Sequence, residues 1–208
     1  SNLDAIHRRW VREWWMALQP RKLGDPPPKD ASLATFDRGT RARLRRCKDA
    51  DELLSDPAAL VLADRLIRNG SDRWPLVDEP DTYSHVALAA GVLVRIKRDQ
   101  ADGKTLALHL GQPAQGSERP VMSEIRFRRL QDTRSPVELL LQWQRAVQLV
   151  EATDVAQLAD DLLTWLAELG LPFGRGSDSG KFRWGYDYYL AARDRAAAKD
   201  PGSDEEIN

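Results

Sequence analysis

The chain has 208 residues, 42% of them hydrophobic, and its 31 basic and 32 acidic side chains leave a formal charge of −1. That length supports one large domain or two small ones, and so even a balance excludes any inference from net charge, leaving only its local distribution to identify a partner. The single cysteine, Cys47, excludes an internal disulfide and fits a reducing cytoplasm, while the longest apolar run, VALAAGVLV at 86–94, falls far short of a membrane span.

Taken in chain order, the periodicity is helical almost throughout, with no alternating strand pattern. Residues 3–18 place Leu3, Ile6, Trp10, Trp14 and Leu18 at helical spacing, beside Trp15, and SNLDAIHRRW holds no signal-peptide core. KLGDPPPKD (22–30) is a proline-rich loop, and 31–48 reads as a second helix. A third spans 56–70, with Asp56 as N-cap, Pro57 in the first turn and Gly70 as a stop. Residues 83–97 are apolar nearly all round, which predicts a central buried helix.

GQPAQGSERP (111–120) is the expected hinge between an N-terminal lobe, about 3–110, and a C-terminal lobe, about 121–198. Ser123 opens a short helix, SEIRFRRLQ, and SPVE at 135–138 is a capping box opening a helix to about Ala152. Asp154 caps the next, in which Val155, Leu158, Leu162, Trp165 and Leu169 step three and four apart before Gly170. GLPFGRGSDSG (170–180) is a loop, 181–197 an aromatic-rich last helix, and 199–208 an acidic tail expected to be disordered. The expected fold is all-α, about eight helices packed as two helical lobes.

Residues that could support catalysis are scarce. His7, His85 and His109 fall on separate segments without a Cys or His partner at metal-ligand spacing. GRGSDSGK (174–181) misses the first glycine of a phosphate loop, because Arg175 stands there, and Phe182 replaces its Ser or Thr. Asp160 and Asp161 point to different faces of one helix, and Cys47 falls on an apolar face. These observations predict a protein that is not an enzyme and uses no cofactor or metal.

Positive charge is concentrated instead. Of the basic residues 24 are arginines, whose planar fork suits phosphate. As a helix, 31–48 would present Leu33, Phe36, Thr40, Leu44 and Cys47 as one stripe. Arg38, Arg41, Arg45 and Lys48 would form another, flanked by Arg43 and Arg46. Like charges three and four apart repel by about 0.2–0.5 kcal/mol per pair, so a face chosen for stability would interleave acids; only Asp37 is near. A second cluster, Arg126, Arg128, Arg129 and Arg134, lies in SEIRFRRLQDTR, with Arg145 in the following helix. Two basic clusters suit an extended polyanion held by its backbone. The competing reading is a helical protein–protein adaptor whose arginines are incidental.

The order of these features resembles the small subunit of the type I-E CRISPR surveillance complex, Cascade (the CasB family). The resemblance runs over residues 3–192. It rests on the Trp-rich helix ending WWMAL, ARLRRCKDADEL (42–53), the alanine-rich helix 83–97 and the SEIRFRRL block. LLLQWQRAVQLVEATDVAQLADDLLTWL (139–166) and RWGYDYYLAA (183–192) complete it. It implies a non-catalytic helical subunit present in two copies. Such a subunit would steady crRNA, target DNA and the displaced strand of the R-loop beside the backbone and large subunits. By this resemblance the family's basic contacts match Arg45, Arg46, Arg126, Arg134 and, across a short insertion, Arg145. A family contact just before the buried helix has no counterpart in DEPDTYSH, and, with the 170–180 loop longer than the family's, Arg175 within it or Lys181 just after it is a candidate added contact.

Overall fold

The fold is known from a computed structural model that describes residues 2–21, 24, 26–70, 74–169, 171 and 176–199. Arg175 and the tail 200–208 lie outside the described residues. Ten α-helices are present among them: α1 (Ala5–Ala17), α2 (Arg38–Leu44), α3 (Ala50–Leu54), α4 (Pro57–Gly70) and α5 (Pro80–Leu93), then α6 (Leu106–Gly111), α7 (Glu124–Asp132), α8 (Pro136–Gln148), α9 (Val155–Leu169) and α10 (Gly180–Lys199). Eight have seven or more residues, and no strand occurs among the described residues. The all-α expectation of about eight helices is met.

The stretch read as one helix over 31–48 is a 3₁₀ turn and a short helix, with a further short helix starting just beyond it. Asp30, Asp37 and Asp49 each accept a hydrogen bond from a backbone N–H two or three residues on, at Ser32, Thr40 and Glu52. Each aspartate therefore caps a new start, satisfying a donor that a continuous helix would have used internally. A 3₁₀ turn at Ala31–Leu33, α2 and α3 result. The apolar stripe survives the breaks: Leu33, Phe36, Thr40 and Leu44 are buried, and Cys47 packs half-buried at the core margin.

Two further boundaries move. The central helix begins at Pro80, in its first turn after Glu79, and ends at Leu93 rather than near 97. In α1 it is His7, not Ile6, that turns inward: Ile6 is 66% exposed, whereas His7 is buried with its Nδ1 2.8 Å from the capping Asp4. The sequence pattern does not announce α6. Thr105 caps it, and it lies against α10 so closely that a Cβ on Gly111 would sit 2.5 Å from the Tyr188 carbonyl oxygen.

The core is organised around α5 and α9, which touch each other; α5 is buried from Val86 and α9 from Val155 through Leu166. Helices α3, α4 and α8 pack on α5, and α1 and α10 on α9. One hydrophobic cluster runs from Leu3 to Tyr188, crossing the 111–120 loop without interruption. Trp143, Trp165 and Trp184 stitch α8, α9 and α10 through two edge-to-face contacts of 5.5 and 5.3 Å. Such pairs add about 0.5–1.5 kcal/mol each beyond burial. The 111–120 loop itself is tied by Ala114 N–H to the Arg119 carbonyl and Val121 N–H to the Gln112 carbonyl.

The two adjacent carboxylates of α9 anchor opposite ends of the chain. Asp160 accepts the N–H groups of Asn2 and Leu3 and the guanidinium of Arg8. Asp161 accepts Gln157, Arg183 and the Trp184 indole. Burial pushes the Asp161 carboxyl up to about 6, against the opposing pull of Arg183. Asp154, buried at the start of α9, moves the other way. Burial would raise it, but the N–H groups of Gln157 and Gly103 together with Arg12 outweigh that cost.

Candidate nucleic-acid interface

The arginines divide into those with an internal partner and those without. Arg8, Arg12, Arg43, Arg65, Arg68 and Arg183 reach aspartates within 3.3 Å. In contrast Arg38, Arg45, Arg46, Arg126, Arg129, Arg134 and Arg145 are exposed and form no ion pair with a described residue. Lys48 is exposed too; its N–H, not its ammonium, is held by Glu52.

Arg41 differs from its neighbours. Its Nε donates to the Val94 carbonyl at 2.9 Å, Nη2 to the Ile96 carbonyl at 2.6 Å, and Nη1 to Gln19 Oε1 at 2.6 Å. Its Nε and Nη2 thus meet carbonyls at and past the C-terminus of α5, where the helix dipole favours a cation. Arg41 fastens α2 to α5. Arg95 does similar work from the other side, donating to the Arg45 carbonyl at 2.7 Å. Arg41 and Arg95 both have their pKa lowered, first by burial and then by the positive charge of Arg45. Three guanidinium groups thus converge at the α2–α5 junction. Arg46 and Arg38 add exposed charge nearby, and Asp56 takes up only Arg43.

The second cluster is built on α7, whose Phe127 and Leu130 face the core and leave Arg126 and Arg129 one turn apart outside. Arg128 is occupied. It pairs with Glu124, and its Nε donates to the Tyr189 hydroxyl at 3.4 Å. Arg134 follows α7 and stands beside Lys181 of α10, whose pKa is lowered by burial and then by Arg134. The Gln131 amide, donating to the Lys181 carbonyl at 3.2 Å, fixes that approach.

Helix α8 connects the two regions. Arg134 lies just before its first residue, and Gln144 near its other end donates to the Gly91 carbonyl, one turn before Arg95. From Pro136 to Arg145 the helical rise spans about 14 Å. Arg145, exposed beside Gln144, therefore lies on the helix that runs from the second cluster toward the first. Sequence reasoning passes over two basic residues beside the first cluster, Arg95 and Arg98, while Arg119 stands just upstream of the second. Arg95 and Arg98 belong to RIKR at 95–98, a dense basic run hidden when the apolar helix is extended through it. Arg98 and Arg119 are exposed, and neither forms an ion pair with a described residue.

Among the described residues no three His, Cys, Asp or Glu side chains gather to hold a metal, and no helix is long and apolar enough to cross a membrane. No curated protein and no solved structure matches the chain. The family model of the CRISPR-associated protein Cse2 matches residues 40–189, from the first basic cluster to the end of the aromatic segment. The chain belongs to that family, the CasB small subunit of the type I-E Cascade complex.

Proposed function

We propose that this chain is the non-catalytic nucleic-acid-binding subunit of its Cascade complex, working in the cytoplasm and holding crRNA, target DNA and the R-loop by arginine contacts to phosphate. The observation that carries the reading is the division of the arginines. Where a cation stabilises the fold it has a carboxylate or carbonyl partner. The family-matched Arg45, Arg46, Arg126, Arg134 and Arg145 pair with no carboxylate among the described residues. Convergent positive charge without internal compensation repels itself, and a polyanion relieves that repulsion while releasing counterions.

Within the site the roles differ. Arg38, Arg45, Arg46 and Lys48 form the first phosphate contact region, and Arg126, Arg129 and Arg134 the second, with Arg145 between. Arg41 and Arg128 hold neighbouring elements in place. Backbone contacts carry no sequence information, so the target is selected by guide pairing and the protein supplies hold time.

The adaptor reading has one favourable observation. Val137 and Leu141 on α8 and Leu149 at its C-cap are exposed near Arg145, an apolar strip suited to another Cascade subunit or to a second copy of this chain. Docking and phosphate binding are compatible on neighbouring faces. Replacing Arg45 and Arg46 with alanine separates them. Nucleic-acid affinity should fall, and the slope of log K against log salt should become shallower by about 0.9 for each duplex phosphate left without its arginine. The fold should be unaffected, because neither side chain has an ion-pair partner among the described residues. Unchanged affinity and slope would leave only the adaptor role.

A further inference from the structure

A groove of about 540 Å³ opens between the 119–121 segment and the exposed side of α7 and α10, lined by Arg119, Val121, Arg126, Tyr188 and Tyr189 among others. Such a volume lies within the range of small-molecule sites and accommodates a nucleobase with its sugar. The aromatic wall is held rigidly. Tyr188 is buried, stacked on Phe127 with centroids 3.9 Å apart, and its hydroxyl donates to the Met122 carbonyl at 2.7 Å. Tyr189 stands edge-on to both rings, at 5.3 and 6.4 Å, and remains 41% exposed. Its hydroxyl accepts from Arg128 Nε and donates to Glu124 Oε1 at 3.1 Å.

The charge layout is specific. Glu124, the acid on the groove wall, is neutralised by Arg128. Arg119 and Arg126 are exposed and form no ion pair with a described residue. A fixed aromatic ring with two such guanidinium groups beside it matches a base and its flanking phosphates. It does not match duplex DNA, whose bases are already stacked and paired. Guanidinium donors oriented toward phosphate, with a ring that accepts any base, give binding without sequence choice.

We propose that this groove takes one unstacked base of a single-stranded nucleic acid, the base against the Tyr189 ring and its flanking phosphates on Arg119 and Arg126. The inference rests on the nucleic-acid reading above and adds a preference for single strands. Arg128 and Glu124 act as positioning residues that fix the ring, which accounts for the one arginine of the cluster facing an acid.

The test is binding of the full chain to three labelled probes: an oligothymidylate, a strand of equal length made of abasic sites, and a duplex of that length. The wild-type protein should prefer oligothymidylate to the abasic strand. Tyr189→Leu should lower oligothymidylate affinity about tenfold, to the abasic level, and leave duplex affinity unchanged, whereas Tyr189→Phe should keep most of the preference. The Phe variant keeps the ring and guards against misreading a folding defect in the Leu variant. Equal wild-type affinity for oligothymidylate and abasic strand would overturn the groove assignment while leaving phosphate binding intact. Loss of assembly with other Cascade subunits in the Leu variant, with nucleic-acid affinity unchanged, would overturn it in favour of a protein-docking groove. Failure to bind any of the three probes would overturn both readings.

Discussion

Asp161 shows how a single buried group ties this fold to pH. Its carboxyl is pushed up to about 6, mainly by burial, against an ordinary value of 3.8. Between those values the folded chain holds a proton that the unfolded chain has released. The contribution of Asp161 to stability is therefore greatest below the lower value and is lost as pH rises through the higher one. Asp161→Asn removes that dependence. It also gives the Gln157, Arg183 and Trp184 donors one acceptor oxygen instead of two, costing about 1–3 kcal/mol at neutral pH. Urea unfolding should show a stability gap between wild type and variant that is wider at about pH 4.5 than at about pH 7.5. A gap independent of pH would contradict the assignment.

The same scale explains what the sequence could reveal about the arginines. Arg45 and Arg46 were legible because no acid is interleaved with them, and the structure leaves both without an ion pair among the described residues. Arg41 belongs to the same stripe by helical spacing, yet its partners are the Val94 and Ile96 carbonyls, more than fifty residues away. Spacing along one helix carries no information about which carbonyls another helix will expose. Arg128 is taken up first by Glu124, an i,i+4 pair that spacing does reveal, and only then by Tyr189 from α10, which it does not.

At the level of elements, long periodic helices and their caps could be read directly. Asp56 and Asp154 cap α4 and α9 through the N–H groups of Ala58 and Gln157, and Ser135 caps α8 through Glu138. Short elements could not. LALHLG gives six residues of pattern, too few for a period to show, and α6 is held by its packing on α10. Gly111 makes that approach possible. In Gly111→Ala the new methyl would meet the Tyr188 carbonyl at 2.5 Å and the Ala191 Cβ at 2.9 Å, both on a rigid helix. The helices must separate, at a cost of about 1–3 kcal/mol. Gly91→Ala is the control, since its nearest neighbour at 2.9 Å is the end of the Leu53 side chain, which can turn aside. The midpoint of thermal unfolding should drop by several degrees for the first variant and less for the second, at about 2–4 °C per kcal/mol. Equal drops would show that the backbone approach does not set the spacing.

For the whole molecule, family membership places the chain in Cascade, and in the function proposed above the surface arginines without ion pairs are what it brings there. The two clusters sit on separate elements, α2 and α7, with α8 running between them. A strand held at one cluster is kept at high local concentration near the other, so the clusters should act together more strongly than either does alone. The direct test is the lifetime of the R-loop in the assembled complex at two salt concentrations. It compares wild type with the Arg45→Ala/Arg46→Ala pair and with the Arg126→Ala/Arg134→Ala pair. Both pairs should shorten the lifetime comparably and weaken its dependence on salt, while guide loading and the choice of target stay the same. A lifetime unchanged in both pairs, with the complex fully assembled, would contradict the claim that this subunit holds nucleic acid through its arginines.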